Sequence, residues 1–456
     1  MRRQVKPAAF FILHPNTLLM QKNNPRTINA WCMYDWANSV HSLVIVSSIF
    51  PIYFNATAKN EQGGDIIDFL GITIKSSVLF SYSVSMSFLL VALLIPFCTA
   101  MADYAGRKKL FMKLFCYTGA ASCAFLYFFT RDTLTISVLA FMLSLIGWSG
   151  SIVFYNSFLP EIATEENFDR YSARGYSLGY IGSVLLMVFN LSMVLFPAMY
   201  GITDPSLPAR ISFLTVGIWW VLFAQIPFRY LPNNTHNKST EGSWIFNGFR
   251  ELKKVFGQVR SQTNLTRYLL AFFVFNMGVQ TVMYVATIFG ANELKLPDQS
   301  LIITILLIQL VAIAGSYLFA YLSSKLGNIY ALMIGVAVWI GICTGAYYVT
   351  LETEFFVLAA VVGMVMGGIQ SLSRATYSKL LPVDTQDTAS YFSFYDVTEK
   401  ASIVLGTLVY GLVEQVTGSM RNSVLALLLF FVVGLVLLSR IPSQKVYRFR
   451  LDSTGN

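Results

Sequence analysis

The chain has 456 residues, 55% of them hydrophobic and 12% charged, with a mean hydropathy of +0.60 and a net charge of +9. Soluble domains carry roughly twice that charged fraction, so the composition excludes a water-soluble protein and points to a polytopic helical membrane protein. The basic balance need not serve nucleic acid, because the positions of the lysines and arginines account for it.

A helix crosses the hydrocarbon core with about 20 mostly apolar residues. Twelve such stretches are predicted, at 30–55, 76–100, 110–130, 134–158, 174–200, 210–230, 266–290, 299–322, 329–350, 354–378, 391–415 and 421–440. Before them comes a tail, residues 1–29, in which "PAAFFILHP" (7–15) is too short to span and precedes no small-residue cleavage site. Met20 is a second candidate start. Helix 1 contains "WCMYDWANSVHSLVIVSSIF" (31–50), with Asp35, Asn38 and His41 close together in an otherwise apolar run. Burying such groups is costly, so a function is expected for them.

With the N-terminus placed in the cytoplasm, 25 of the 32 Lys and Arg residues lie in or beside segments on that side. Lys59, Lys75, Arg131, Arg210, Lys295 and Arg421 lie on the other, and Lys400 lies within a helix. This bias predicts that both termini are cytoplasmic.

The two halves repeat. "VHSLVIVSSIFP" (40–51) matches "VQTVMYVATIFG" (279–290), "ADYAGRK" (102–108) parallels "SSKLGNI" (323–329), and "YNSFLP" (155–160) resembles "YSKLLP" (377–382). The matches fall in one order and pair helix 1 with 7 and helix 4 with 10, so two parallel six-helix repeats are expected, at 30–230 and 265–441. Between them lies a polar linker, 231–264, in which Ile245, Phe249, Leu252, Phe256 and Val259 mark an amphipathic helix. That helix is expected to lie on the cytoplasmic membrane surface, a partner-binding helix being the alternative. A tail, 442–456, follows the last span. Cys32, Cys98, Cys116, Cys123 and Cys343 read as small core residues, with no CxxC and no Cys/His cluster to hold a metal. Gly175/Gly179, Gly341/Gly345 and Gly363/Gly367 read as close helix packing.

Twelve helices in two such repeats resemble the major facilitator superfamily. "MADYAGRKKL" (101–110) is similar to that superfamily's loop 2–3 signature, with Asp103, Gly106, Arg107 and Lys108 in place and Thr99 where a glycine is usual. The resemblance implies that Asp103 and Arg107 lock a cytoplasmic conformation; the alternative is a solvated turn. "YDWANS" (34–39), "IFPIYF" (49–54), "FYNSFLPEI" (154–162), "RGYSLGYIG" (174–182), "GVQTVMYVATIFGA" (278–291) and "GGIQSLSRATYSKLLP" (367–382) resemble the vacuole-effluxer-like family. For its fungal relatives this implies export of amino acids from a degradative vacuole. The short loops here suggest a bacterial cytoplasmic membrane instead.

The resemblance also implies that helices 1, 4, 7 and 10 line a central cavity. On helix 7, Asn276, Gln280, Tyr284 and Thr287 fall within an arc of about 80°, a polar stripe that needs a polar surface to face; hydrogen bonds to a neighbouring helix are the alternative. The repeat match sets His41 opposite Gln280 and so in the cavity, with Asn38 beside it; Asp35 is expected to contact another helix. Tyr155, Asn156, Tyr176, Tyr180 and Gln370 are further cavity candidates, against a role as interfacial anchors.

Asp35, Arg374, Asp396, Glu399 and Lys400 are expected to meet as a gate near the cytoplasmic ends, a static cap of ion pairs being the alternative. Asp396 and Lys400 have the spacing of a local ion pair. Glu399 has no such local partner, and one carboxylate is in excess, which makes Glu399 or Asp35 a candidate proton site.

The functional expectation is a monomeric secondary active transporter that moves a small solute, with amino acids as candidates, by alternating access coupled to protons. The alternatives are a transporter-like receptor and a lipid-moving protein. A pump is disfavoured by the lack of GxxxxGK[ST]. An enzyme is disfavoured because His14, His41 and His236 are the only histidines and two lie outside the spans. No cofactor, metal or nucleic-acid partner is expected.

Overall fold

The computed structural model describes residues 22–60, 62–64, 66–233, 244–383 and 385–442, apart from the side chains of 244–249 and of residue 298. The expectations for Met20, His14, "PAAFFILHP" and His236 lie outside these residues, as does most of the C-terminal tail.

The first predicted span is broken. Helix α1 (Pro25–His41) starts at an Asn24 cap, whose side chain accepts the Arg26 N–H. A π-helical turn, Ser42–Val46, follows, and α2 (Ile49–Thr57) resumes after Ser48. The Ser48 hydroxyl donates to the Leu43 carbonyl at 2.5 Å, satisfying an acceptor that the break frees. An antiparallel hairpin, β1 (Ile66–Phe69) and β2 (Ile72–Lys75), then leads into α3 (Ser76–Ala105).

The N-terminal half continues with α4 (Lys108–Phe125), α5 (Leu134–Ser157), the short α6 (Leu159–Ile162), α7 (Phe168–Leu195) and α8 (Leu207–Tyr230). Helix α7 begins six residues before the predicted start at Arg174, so Arg174 lies within the helix and not at its head. After α9 (Trp244–Ser261) come α10 (Thr263–Asn292), α11 (Asp298–Leu326), α12 (Asn328–Tyr348), α13 (Glu352–Leu380), α14 (Thr388–Thr417) and α15 (Met420–Ser439).

Among the described residues, eleven helical segments are long and apolar enough to cross a membrane. The predicted span 391–415 is not among them. Its helix, α14, is as long as α3 but carries Asp396, Glu399, Lys400 and Glu414. Even so, α14 packs within the bundle, against α3, α5, α10 and α15.

The halves meet along two seams, α7 with α11 and α13, and α3 with α14. The turns that precede α4 and α12 each hold a glycine of positive φ, Gly106 at +63° and Gly327 at +93°, but ψ differs, 28° against 157°. A Cβ is strained in that region, so glycine suits both turns. Small residues permit close packing of α13 on α11 within the C-terminal half. A Cβ on Gly363 or Gly367 would press into the α11 backbone at Ile308 or Ala312. Gly341 has open space around it, and Gly345 meets only Leu358, so that pair is not a packing motif. Four of the five free cysteines are buried as expected, and Cys98 is half-buried.

Helix α9 is amphipathic and packs against the bundle. Val255 and Val259 are buried, and α9 packs on α3 and α14. Phe256, counted on the apolar face, stays 55% exposed with its ring beside Phe394. Lys254 reaches Glu251 at 2.7 Å and Asp387 at 3.0 Å, and these hydrogen bonds, the one to Glu251 first, raise its pKa above the usual lysine value. The helix therefore straps the two halves together across one seam.

Candidate functional site

Arg374 on α13 projects out of its own half into the other. The residue is 1% exposed and all five guanidinium N–H donors are used. Nε donates to the Ser172 hydroxyl at 2.9 Å, and Nη2 to the Ser172 carbonyl at 2.9 Å. Nη1 donates to Asn156 Oδ1 at 3.1 Å, and both terminal nitrogens lie 3.2 Å from Asp35 Oδ2. Asp35 Oδ2 also accepts the Tyr155 hydroxyl at 2.7 Å. Three rings surround the cation, with its carbon 4.3 Å from the Tyr176 centroid, 4.8 Å from Trp31 and 5.4 Å from Tyr155. The arrangement needs a glycine at 175. A Cβ there would strike Asp35 Oδ2 and come within 3.0 Å of Arg374 Nη2.

A second charged group sits on α14. Lys400 Nζ is 3.1 Å from Asp396 Oδ1 and 3.6 Å from Glu399 Oε2. The i,i+4 pair is as expected. Glu399 does have a neighbour, contrary to expectation, because one ammonium serves both acids. Gln280 Nε2 donates to Glu399 Oε1 at 3.3 Å. Lys400 lies 5.5 Å from the Phe88 ring and 5.7 Å from the Trp148 ring, both in the other half.

Between these groups is a cavity of about 190 Å³. Asp35, Asn38, Asn156, Gln280, Tyr284, Gln370, Arg374, Glu399 and Lys400 line it, as do Tyr176 and Tyr180. The Tyr180 hydroxyl donates to Gln370 at 2.8 Å, closing one side across the halves. Away from the turns before α4 and α12, the cavity continues into a vestibule of about 610 Å³ with largely apolar walls, including Pro51, Phe80, Thr287 and Leu408.

Four expected site residues lie elsewhere. His41 is fully buried inside its own half, 3.1 Å from the Ser144 hydroxyl and 5.6 Å from the centroid of Trp148. The π-turn that follows it explains the error. One extra residue in a turn changes helical phase by about 100°, and the uninterrupted α10 has no such insertion, so the match to Gln280 does not carry across the break. His41→Ala is therefore expected to lower the melting temperature and to leave the substrate KM unchanged in proteoliposomes; a raised KM with an unchanged melting temperature would return His41 to the cavity.

Asn276 is turned to α14, where it donates to the Ser402 hydroxyl at 2.6 Å. Tyr155 stands behind Asp35, stacked on Trp31 at 4.7 Å. Asp396 lies beneath Lys400, outside the lining. Asp35, in contrast, both faces the cavity and contacts another helix.

Beyond the Arg374 site, polar contacts close the end of the bundle that carries the α3–α4 turn. Asp103 accepts the Ser390 N–H and hydroxyl, each at 2.7 Å, at the start of α14. Lys108 pairs with Glu161 and donates to Thr388 at 2.6 Å. Across the other seam, Asp169 on α7 accepts Lys379 at 2.7 Å and Ser323 and Asn328 at 2.8 Å. Sequence reasoning missed this second clamp, and also Ser172 and Trp31 around Arg374 and Gln309 in the cavity wall. For Asp169 and Lys379 a signal existed, since each is a charge near a helix end. A single serine or glutamine outside any polar stripe carries none.

The profile of a family described as vacuole effluxer Atg22 like matches residues 23–448. The chain is 30% identical over 426 residues to an MFS-type transporter of Bacillus subtilis, YxiO, covering 93% of this chain and 97% of that one. It is 23% identical to autophagy-related protein 22 of Yarrowia lipolytica, over 85% and 79% of the two chains. Among solved structures, it resembles the human organic anion transporter MFSD10 with a TM-score of 0.69 at 12% identity, covering 92% of this chain and 100% of that one. It also resembles the transporter FucP in its outward conformation, with a TM-score of 0.67 at 14% identity over 92% and 99%. These two likenesses bear on the fold.

Proposed function

This chain belongs to the vacuole effluxer Atg22-like family of major facilitator transporters, and on that premise we propose that it is a proton-coupled secondary transporter of small zwitterionic solutes of the amino-acid type. The observation that carries the reading is the chamber between the halves, whose lining sets Arg374 and Lys400 beside Asp35 and Glu399. Groups of both signs in one small space suit a solute that carries both signs. The apolar vestibule suits an apolar side chain on that solute.

In this reading α14 is the twelfth span, its charges tolerated because they face the bundle interior. The positive-inside bias places the α3–α4 turn and both termini in the cytoplasm of a bacterial cell. The molecule is then closed inward and open outward. Asp103 and Lys108, with Asp169 and Lys379, hold the inner end shut. Opening it requires breaking these contacts and withdrawing Arg374 from Asp35. A second reading, movement of lipid, has one observation in its favour, the apolar vestibule.

The test is counterflow in proteoliposomes. Vesicles loaded with each proteinogenic amino acid should take up the same labelled amino acid faster than vesicles without protein. No exchange of any amino acid, together with protein-dependent movement of a labelled phospholipid, would replace this reading with the second.

A further inference from the structure

Helix α4 opens with a run of cations. Lys108 is taken up by Glu161 and Thr388. Lys109 and Lys113 line a different pocket, of about 240 Å³, together with Arg107, Leu110 and Asn233, with no carboxylate among its described lining residues. Lys109 donates to the Leu231 carbonyl at 2.7 Å, and the Lys113 ammonium stands 5.5 Å from the Phe228 ring. Among the described residues neither lysine has a carboxylate within ion-pair distance. The two are four residues apart on one helix, a like-charge spacing that an intervening anion would relieve.

The surface beside the pocket is apolar. Leu110, Leu114 and Tyr117 follow one another on the outer face of α4, all exposed. A cation cluster where a helix enters the bilayer, continued by an apolar strip, matches a molecule with an anionic head and an apolar tail.

We propose that this pocket binds the phosphate headgroup of an anionic phospholipid, with an acyl chain lying along Leu110, Leu114 and Tyr117. Lys113 faces the phosphate oxygens, and Lys109 adds charge from the Leu231 side. The site requires only that the chain be embedded in a bilayer, so it stands or falls independently of the transported solute.

The experiment is native mass spectrometry of the full chain in detergent with equimolar phosphatidylglycerol and phosphatidylcholine, and in a separate arm with inorganic phosphate. The wild type should retain phosphatidylglycerol preferentially. Lys113→Gln should reduce that retention about fivefold and Lys109→Gln/Lys113→Gln roughly 25-fold, with phosphatidylcholine adducts and melting temperature unchanged. If the double variant does not fold, Lys113→Gln alone carries the test, because Lys113, unlike Lys109, makes no hydrogen bond to the backbone among the described residues. Equal retention of the two lipids by the wild type, or a preference that survives the lysine substitutions, overturns the proposal. So does inorganic phosphate that binds as tightly as the lipid, which would make this a site for a soluble anion.

Discussion

Arg374→Gln is expected to abolish transport and to destabilise the protein by about 3–5 kcal/mol, the usual cost of leaving one partner of a buried ion pair alone. Asp35 would keep only the Tyr155 hydroxyl, and Ser172 and Asn156 would lose their donor. Thermal unfolding and counterflow on one preparation separate the two effects. Asp35→Asn/Arg374→Gln leaves no buried charge unpaired, so it should recover most of the lost stability and none of the transport. A single variant as stable as wild type would mean that the pair contributes little to the fold. A double variant that transports normally would remove the pair from the working cycle.

Glu399→Gln is expected to abolish accumulation driven by a pH gradient while sparing exchange of labelled for unlabelled substrate. Two carboxylates share the single ammonium of Lys400, and Asp396 is the nearer, at 3.1 Å against 3.6 Å. One negative charge in the cavity wall is therefore unmatched, and a proton can neutralise it. Exchange need not move that proton, whereas net uphill transport must. Glutamine keeps the shape and a hydrogen-bonding side chain next to Gln280, so a loss confined to the gradient-driven assay reports coupling and not collapse. Accumulation that persists under a pH gradient would pass the coupling role to Asp35, and the same two assays on Asp35→Asn would then decide it.

Hydrophobic length determined eleven of the twelve predicted spans, because a bilayer rewards apolar residues wherever they point. The amphipathic linker helix and the paired turns were legible for similar reasons. Helical period marks a face, and Gly106 and Gly327 mark positive φ. Gln280 and Tyr284 were found because α10 is unbroken, so a stripe on its sequence is a stripe in space.

The direction of helix 1 was not legible. The π-turn at Ser42–Val46 is one extra residue in the backbone, with no residue type that announces it, and it separates His41 from the cavity. Nor could the sequence say what Arg374 meets. Its five donors are satisfied by residues about 200 to 340 positions away on three helices of the other half. Hydropathy and spacing report on one helix at a time. Which charge pairs with which, and which end of the bundle is closed, depends on how the two halves dock, and only the tertiary structure decides that.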